Sequence, residues 1–136
     1  MTTLVRDAMV PHPTTLEASA SSQAAGEQLA DPNVRAVLVT EADGRLLGVV
    51  TRKTLVREVV ATGRDPKTTP LGEIAEPPIY TLEAEMPLDD AFHELEERDL
   101  ERVPVVENGK LVGILSRSVV QRRLAEDEPP ALEEPL

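Results

Sequence analysis

The chain contains no cysteine and no tryptophan. Disulfides and thiolate metal sites are therefore excluded. Aromatic residues are almost missing too, with Phe92 and Tyr80 the only two. The core must be packed by Val, Leu, Ile and Ala, which suits strands covered by helices. No apolar run approaches the roughly 20 residues that span a bilayer, and the N-terminus lacks the charged-then-apolar pattern of a signal peptide. A cytoplasmic protein with no membrane partner is the expectation. Basic residues are the minority, 14 Lys and Arg against 25 Asp and Glu, for a formal net charge of -11. That balance argues against nucleic acid as a partner, because phosphate neutralisation needs clustered cations. It leaves room for a small anion held by a few local arginines. The two histidines, His12 and His93, sit in unrelated settings. With no nucleophile beside a base and no paired carboxylates in an evident cleft, the chain does not read as an enzyme.

What is present is a repeat. Thr15-Leu16-Glu17-Ala18 returns as Thr81-Leu82-Glu83-Ala84, and at the same offset Pro11 meets Pro77, Ala25 meets Ala91 and Leu29 meets Leu95. Further on the register slips by a residue, so that Arg35 matches Arg102, Val39 matches Val106, Gly44 matches Gly109 and Gly48 matches Gly113. A unit of this size is one supersecondary motif, too small to be a comfortable domain alone. Two copies can bury their apolar faces on each other, and a chain of 136 residues suits one such domain. The cleft between copies is where a ligand would sit.

Each unit reads as turn, strand, helix, strand, strand, helix. Val5 to Met9 is a helical turn ended by Pro11 and Pro13. Thr14 to Leu16 is a short strand, and Ser19 or Ser21 caps a helix running to about Leu29. Arg35 to Thr40 and Leu46 to Thr51 form a hairpin turned at Asp43-Gly44. Arg52 to about Thr62 is a helix striped by Leu55, Val56, Val59 and Val60 and stopped by Gly63. After a linker over 63–70 the order repeats. Leu71 to Ala75 is a turn, Ile79 to Leu82 a strand, and Pro87 opens a helix with Leu88, Ala91, Phe92 and Leu95 on one face. Arg102 to Val106 and Leu111 to Ser116 are the second hairpin, turned by Asn108-Gly109, and Arg117 to about Ala125 is the last helix. Residues 126–136, acidic and rich in proline, read as a disordered tail. The valine stripes, with Val119, Val120 and Leu124, exceed what one small sheet needs to cover, which predicts a homodimer.

Both hairpins end in a hydroxyl residue where strand becomes helix, Thr51 and Ser116, and an arginine follows at once, Arg52 and Arg117. Such a junction can be a simple N-cap or a seat for an anion. Asp89, Asp90, His93 and Glu97 share one helical stretch, which reads as a solvated acidic face rather than a metal site. Arg122-Arg123 lies near a helix C-terminus, where it suits the dipole.

Three segments and their first-unit equivalent carry a resemblance: Val5-Arg6-Asp7-Ala8-Met9, Arg102-Val103-Pro104-Val105-Val106 and Gly113-Ile114-Leu115-Ser116, with Gly48-Val49-Val50-Thr51 in the first unit. In this order they resemble a tandem pair of CBS domains, a Bateman module, with 1–62 and 71–125 as the two repeats. The resemblance implies an α+β fold of two pseudo-twofold-related β-α-β-β-α repeats packed through their sheets. It also implies a regulatory ligand, an adenine nucleotide such as AMP, ADP or ATP, with no cofactor required, and a separate effector protein as partner. In the family's Ser/Thr-x-x-Asp pattern the hydroxyl meets phosphate and the aspartate holds the ribose. Thr51 and Ser116 match the hydroxyl, but the aspartate position is Thr54 in one repeat and Val119 in the other. The base-side candidates are Thr14, Thr15, Val37 and Leu38, then Tyr80, Thr81, Pro104 and Val105. Tyr80 can stack on adenine or cover the edge of the core. A degenerate pair acting as a dimerisation or docking module is the alternative.

Overall fold

A computed structural model describes residues 3–78 and 80–127. Two small sheets, each covered by helices, make up the molecule. The first sheet has three strands in the order β2 (Thr15–Glu17), β3 (Val37–Thr40), β4 (Leu46–Val50). The second has four, in the order β1 (Val10–Pro11), β7 (Lys110–Ser116), β6 (Arg102–Glu107), β5 (Leu82–Glu83). β2 runs parallel to β3 and β5 parallel to β6, across the helices α2 (Ser22–Leu29) and α5 (Leu88–Glu97). The hairpins β3–β4 and β6–β7 are antiparallel.

Local chemistry explains these elements. Ser21, not Ser19, caps α2 by accepting from the Ala24 N–H at 3.2 Å. Asp89 and Asp90 stand in the first turn of α5, where the dipole favours them. Asn108 and Gly109 both have positive φ, 54° and 80°, as a two-residue hairpin turn of matching twist requires.

The pairing corrects the sequence register. Each middle strand carries a bulge at the same place, between Val39 and Thr40 and between Val105 and Val106. Val39 faces Gly48 as Val105 faces Gly113, so Val39 corresponds to Val105 and not to Val106. By the same register Arg35 corresponds to Glu101, not to Arg102. The slip lies in the hairpin turn, which is one residue longer in the first repeat. Burial follows the corrected register: Val37 and Val103 are each 2% exposed, and Val39 and Val105 are each 0%.

Other expectations change at their edges. The strand expected from Ile79 shortens to Leu82–Glu83, and Ile79 itself lies outside the described residues. The helix expected from Arg52 to Thr62 is α-helical only over α3 (Arg52–Leu55) and continues as a π-helical turn, Val56–Val60. There the Ala61 N–H reaches the Val56 carbonyl at 2.8 Å. The wider turn breaks the expected stripe: Val59 is buried, whereas Val56 and Val60 are 58% and 71% exposed. Val120 is buried, and Leu55 and Leu124 pack against the two cores. The surplus apolar surface of these helix stripes thus narrows to Val56 and Val60, while Val10 is exposed on β1. The last helix, α6 (Arg117–Asp127), takes in two residues expected in the tail, and 128–136 lie outside the described residues.

The packed lobes are not the same residues as the sequence repeats. The leading turn of each repeat crosses to the other lobe. Val5 and Ala8 of α1 (Val5–Ala8) belong to the core of Leu82, Leu88, Leu95 and Leu115. Leu71 and Ile74 of α4 (Leu71–Ile74) belong to the core of Ala25, Leu29, Val39 and Val50. Backbone bonds fix the exchange, from the Val5 N–H to the Met86 carbonyl at 2.9 Å and from the Leu71 N–H to the Ala20 carbonyl at 2.8 Å. The segment expected as a linker is held as well, since Pro66 and Thr69 accept from the Gln23 and Ser22 N–H groups. At the molecular axis the hairpin tips meet: the Leu46 N–H donates to Gly109 O and the Leu111 N–H to Gly44 O, at 3.2 and 3.1 Å.

Candidate functional site

The two strand-to-helix junctions are built differently. In the first, Thr51 caps α3 and forms a reciprocal capping box with Thr54. Thr51 Oγ1 accepts from the Thr54 N–H at 3.3 Å, and Thr54 Oγ1 accepts from the Thr51 N–H at 3.1 Å. The two hydroxyls are 3.0 Å apart, and Thr54 Oγ1 lies 3.3 Å from Glu76 Oε1. Because a carboxylate only accepts, Thr54 donates to Glu76 and Thr51 donates to Thr54. Thr54 is 1% exposed. Its hydroxyl is engaged by the Thr51 N–H and by Glu76 inside the protein.

Arg52 does not point away from the protein. Its Nη2 donates to the carbonyls of Asp31 and Val34, at 2.8 and 2.7 Å, and so ties α3 to the segment after α2. Arg35 is exposed at the adjacent register position and makes no ion pair among the described residues.

In the second junction Glu101 does the capping. Its backbone carbonyl accepts from the Arg117 N–H at 2.7 Å, and its carboxylate accepts from the Ser118 N–H at 3.4 Å. Arg117 pairs with that carboxylate at 3.5 Å and with Asp99 at 3.4 Å. The chain's own anion therefore occupies the place where a helix start and an arginine would hold a phosphate. Ser116, paired with Arg102 at the end of β7, is half-buried. Val119, at the position of Thr54, offers no hydrogen bond.

The base-side candidates divide by exposure. Thr14 is exposed, while Thr15, Thr81, Tyr80 and Pro104 are half-buried. Val37, Leu38 and Val105 are buried, so their side chains serve the core and only their backbone is offered to a cleft. Tyr80 packs at the edge of the second core, donates to Glu94 at 3.3 Å, and carries the Arg98 guanidinium 4.1 Å from its ring centroid. One ring face is thus already covered by a cation. Glu94 raises the Arg98 pKa above its ordinary value.

Sequence reasoning missed Glu76 and Glu101. Glu76 reaches the first junction because the crossing segment pairs with β4: the Val49 N–H donates to Glu76 O at 2.7 Å and the Glu76 N–H to Val49 O at 2.9 Å. Arg57 forms an ion pair with the Glu76 carboxylate. Gly48 permits this approach, since a Cβ there would lie 2.5 Å from Glu76 O. The repeat register was the available signal for Glu101, and a one-residue error hid it.

Two CBS folds in exchange, each with a hydroxyl at its strand-to-helix junction, define the class of a CBS pair. The CBS-domain family profile matches residues 5–61 and 71–126, and the chain belongs to that family, a family of regulatory modules. It is 31% identical over 124 residues to hypoxic response protein 1 of Mycobacterium tuberculosis, covering 91% of this chain and 87% of the relative. Among solved structures, hypoxic response protein I with two coordinated zinc ions superposes with a TM-score of 0.74 at 30% identity, over 89% of this chain and 98% of that one. CBSX2 in complex with AMP gives a TM-score of 0.70 at 27% identity, over 90% and 96%. Among the described residues here, no group of three or more His, Cys, Asp or Glu is placed to hold a metal. No described helix is long and apolar enough to cross a membrane.

Proposed function

We propose that this chain is a ligand-sensing module that binds an adenine nucleotide of the AMP, ADP or ATP class and reports its occupancy to a separate protein. The working cleft is that of the first repeat. One observation carries this placement, a reversal of charge at equivalent positions of the repeat: the exposed Arg35 is the counterpart of Glu101, whose carboxylate caps the helix start at the Ser116 junction. Arg35 adds a positive charge in the first repeat where Glu101 adds a negative one in the second, and that difference favours a phosphate at the first. The AMP complex of CBSX2 supports the ligand class.

Signalling requires that the nucleotide bind one arrangement of the lobes better than another. The exchanged turns and the paired hairpin tips are the contacts such a ligand would bias. The same reading has the protein cytoplasmic and non-enzymatic, without nucleic acid, and homodimeric through Val56 and Val60.

Calorimetric titration with AMP, ADP and ATP tests it. The expected result is saturable micromolar binding at one site per chain, weakened about tenfold by Arg35→Ala. A second reading, a docking module without nucleotide, is favoured by the buried Thr54, by Val119 and by the commitment of Arg52 to carbonyls. No heat with any of the three nucleotides would establish that reading instead.

A further inference from the structure

We infer that Glu76 is the ribose-binding carboxylate of the first cleft, supplied by the segment that crosses from the other repeat. This rests on the nucleotide reading above and adds to it the residue that recognises the sugar.

A ribose presents two adjacent hydroxyls, and a carboxylate, which accepts at both oxygens, is the side chain suited to them. Within the first junction the two threonine hydroxyls are already engaged with each other. Thr51 Oγ1 accepts from the Thr54 N–H, and Thr54 Oγ1 accepts from the Thr51 N–H and the Thr51 hydroxyl. The chain of hydroxyls then ends on Glu76 Oε1, and the Arg57 ion pair uses the same oxygen. Oε2 makes no hydrogen bond shown among the described residues, and the side chain is 48% exposed, so a ligand can reach it.

The placement is preorganised. Two backbone bonds to Val49 hold the Glu76 main chain, and the Thr54 hydroxyl orients the carboxylate. Glu76 is separated from the Thr51 hydroxyl by no more than two hydrogen-bond lengths, 3.0 and 3.3 Å. That is the scale on which a sugar's hydroxyls stand from its 5′-phosphate. The second repeat has no equivalent: Val10 bridges Ile114 where Glu76 bridges Val49, and Val119 replaces Thr54.

The test compares AMP with 2′,3′-dideoxy-AMP by calorimetry on the wild-type protein and on Glu76→Gln, with a thermal melt of each. Gln keeps an oxygen for Thr54, so a purely structural Glu76 would leave ligand preference alone. The expected result is that wild type prefers AMP about tenfold and that Glu76→Gln loses most of this preference while its melting temperature stays close to wild type. Equal binding of both ligands by wild type overturns the assignment without involving a variant. An undiminished preference in Glu76→Gln overturns it too, and leaves the nucleotide reading standing. Failure of wild type to bind AMP, ADP or ATP removes both.

Discussion

At the first junction Thr51, Thr54, Arg35 and the crossing Glu76 hold the positions that Ser116, Val119, Glu101 and the crossing Val10 hold at the second. The apolar positions around them hardly differ. Ala25 and Ala91 are both 0% exposed, Leu29 and Leu95 2% and 0%, and Val39 and Val105 both 0%. A duplicated fold keeps its symmetry in the core, because each lobe must close over the same volume. It is free to lose symmetry at the junctions, where polar groups need only some partner. In the first repeat the equivalent residue, Arg35, makes no ion pair among the described residues, and in the second Glu101 satisfies the helix start.

Experiments can break this comparison at several levels. The largest effect is expected at the exchanged turns. Leu71 is fully buried in the lobe of the other repeat, so Leu71→Ala should cost about 3 kcal/mol in urea unfolding. If the lobes were independent of the exchange, the loss would be far smaller.

A glycine comparison comes next. A Cβ at Gly48 meets the Glu76 carbonyl at 2.5 Å, whereas at Gly113 the nearest atom, also at 2.5 Å, is the Met9 sulfur. Backbone cannot yield as a flexible thioether can, although Val10 O also lies 2.9 Å from the Gly113 position. Gly48→Ala should therefore destabilise by about 2 kcal/mol and exceed Gly113→Ala, as paired denaturation curves would show.

The next contrast concerns surface. Val56 and Val60 are exposed, while their second-repeat counterparts are Gln121 and Ala125. Val56→Ser with Val60→Ser should weaken self-association, read by sedimentation, while leaving the melting temperature of the lobe nearly unchanged. A smaller effect is expected from Glu101→Ala, which removes a carboxylate from the start of α6. It should cost about 0.5 kcal/mol, after allowance for its exposure to solvent.

Arg6 gives the smallest effect. The hydrogen bonds that its guanidinium donates to Glu85, and then to Glu107, raise its pKa above the ordinary arginine range. A raised pKa means that the contact's contribution is fully present below the unfolded value and is lost only as pH climbs through the folded one. The stability difference between wild type and Arg6→Met should accordingly be flat from about pH 7 to 10, by urea titration at several pH values.

Much of the fold was legible because it depends on local pattern. The hairpins were signalled by Asp43-Gly44 and Asn108-Gly109, and α5 by its apolar spacing after Pro87. The π-helical turn was not legible, since Val56, Val59 and Val60 fit α spacing equally well. The candidate site was legible only where its residues are neighbours in sequence, as with Thr51, Thr54, Ser116 and Val119. Tyr80 illustrates the limit: Glu94 and Arg98, its partners, reach it from α5 and the residue that ends that helix, contacts that its own sequence neighbours do not announce.

The sequence alone determined that there are two repeats, that aliphatic side chains fill them, and that a hydroxyl stands at each strand-to-helix junction. These follow from periodicity, composition and spacing, which are properties of neighbouring residues. Tertiary structure alone decided which leading turn packs in which lobe and where the repeat register slips. It also decided that Glu76 joins Thr54 while Glu101 covers the start of α6. Those contacts join residues distant in the chain, and they form only when strand pairing and core closure bring the backbones together.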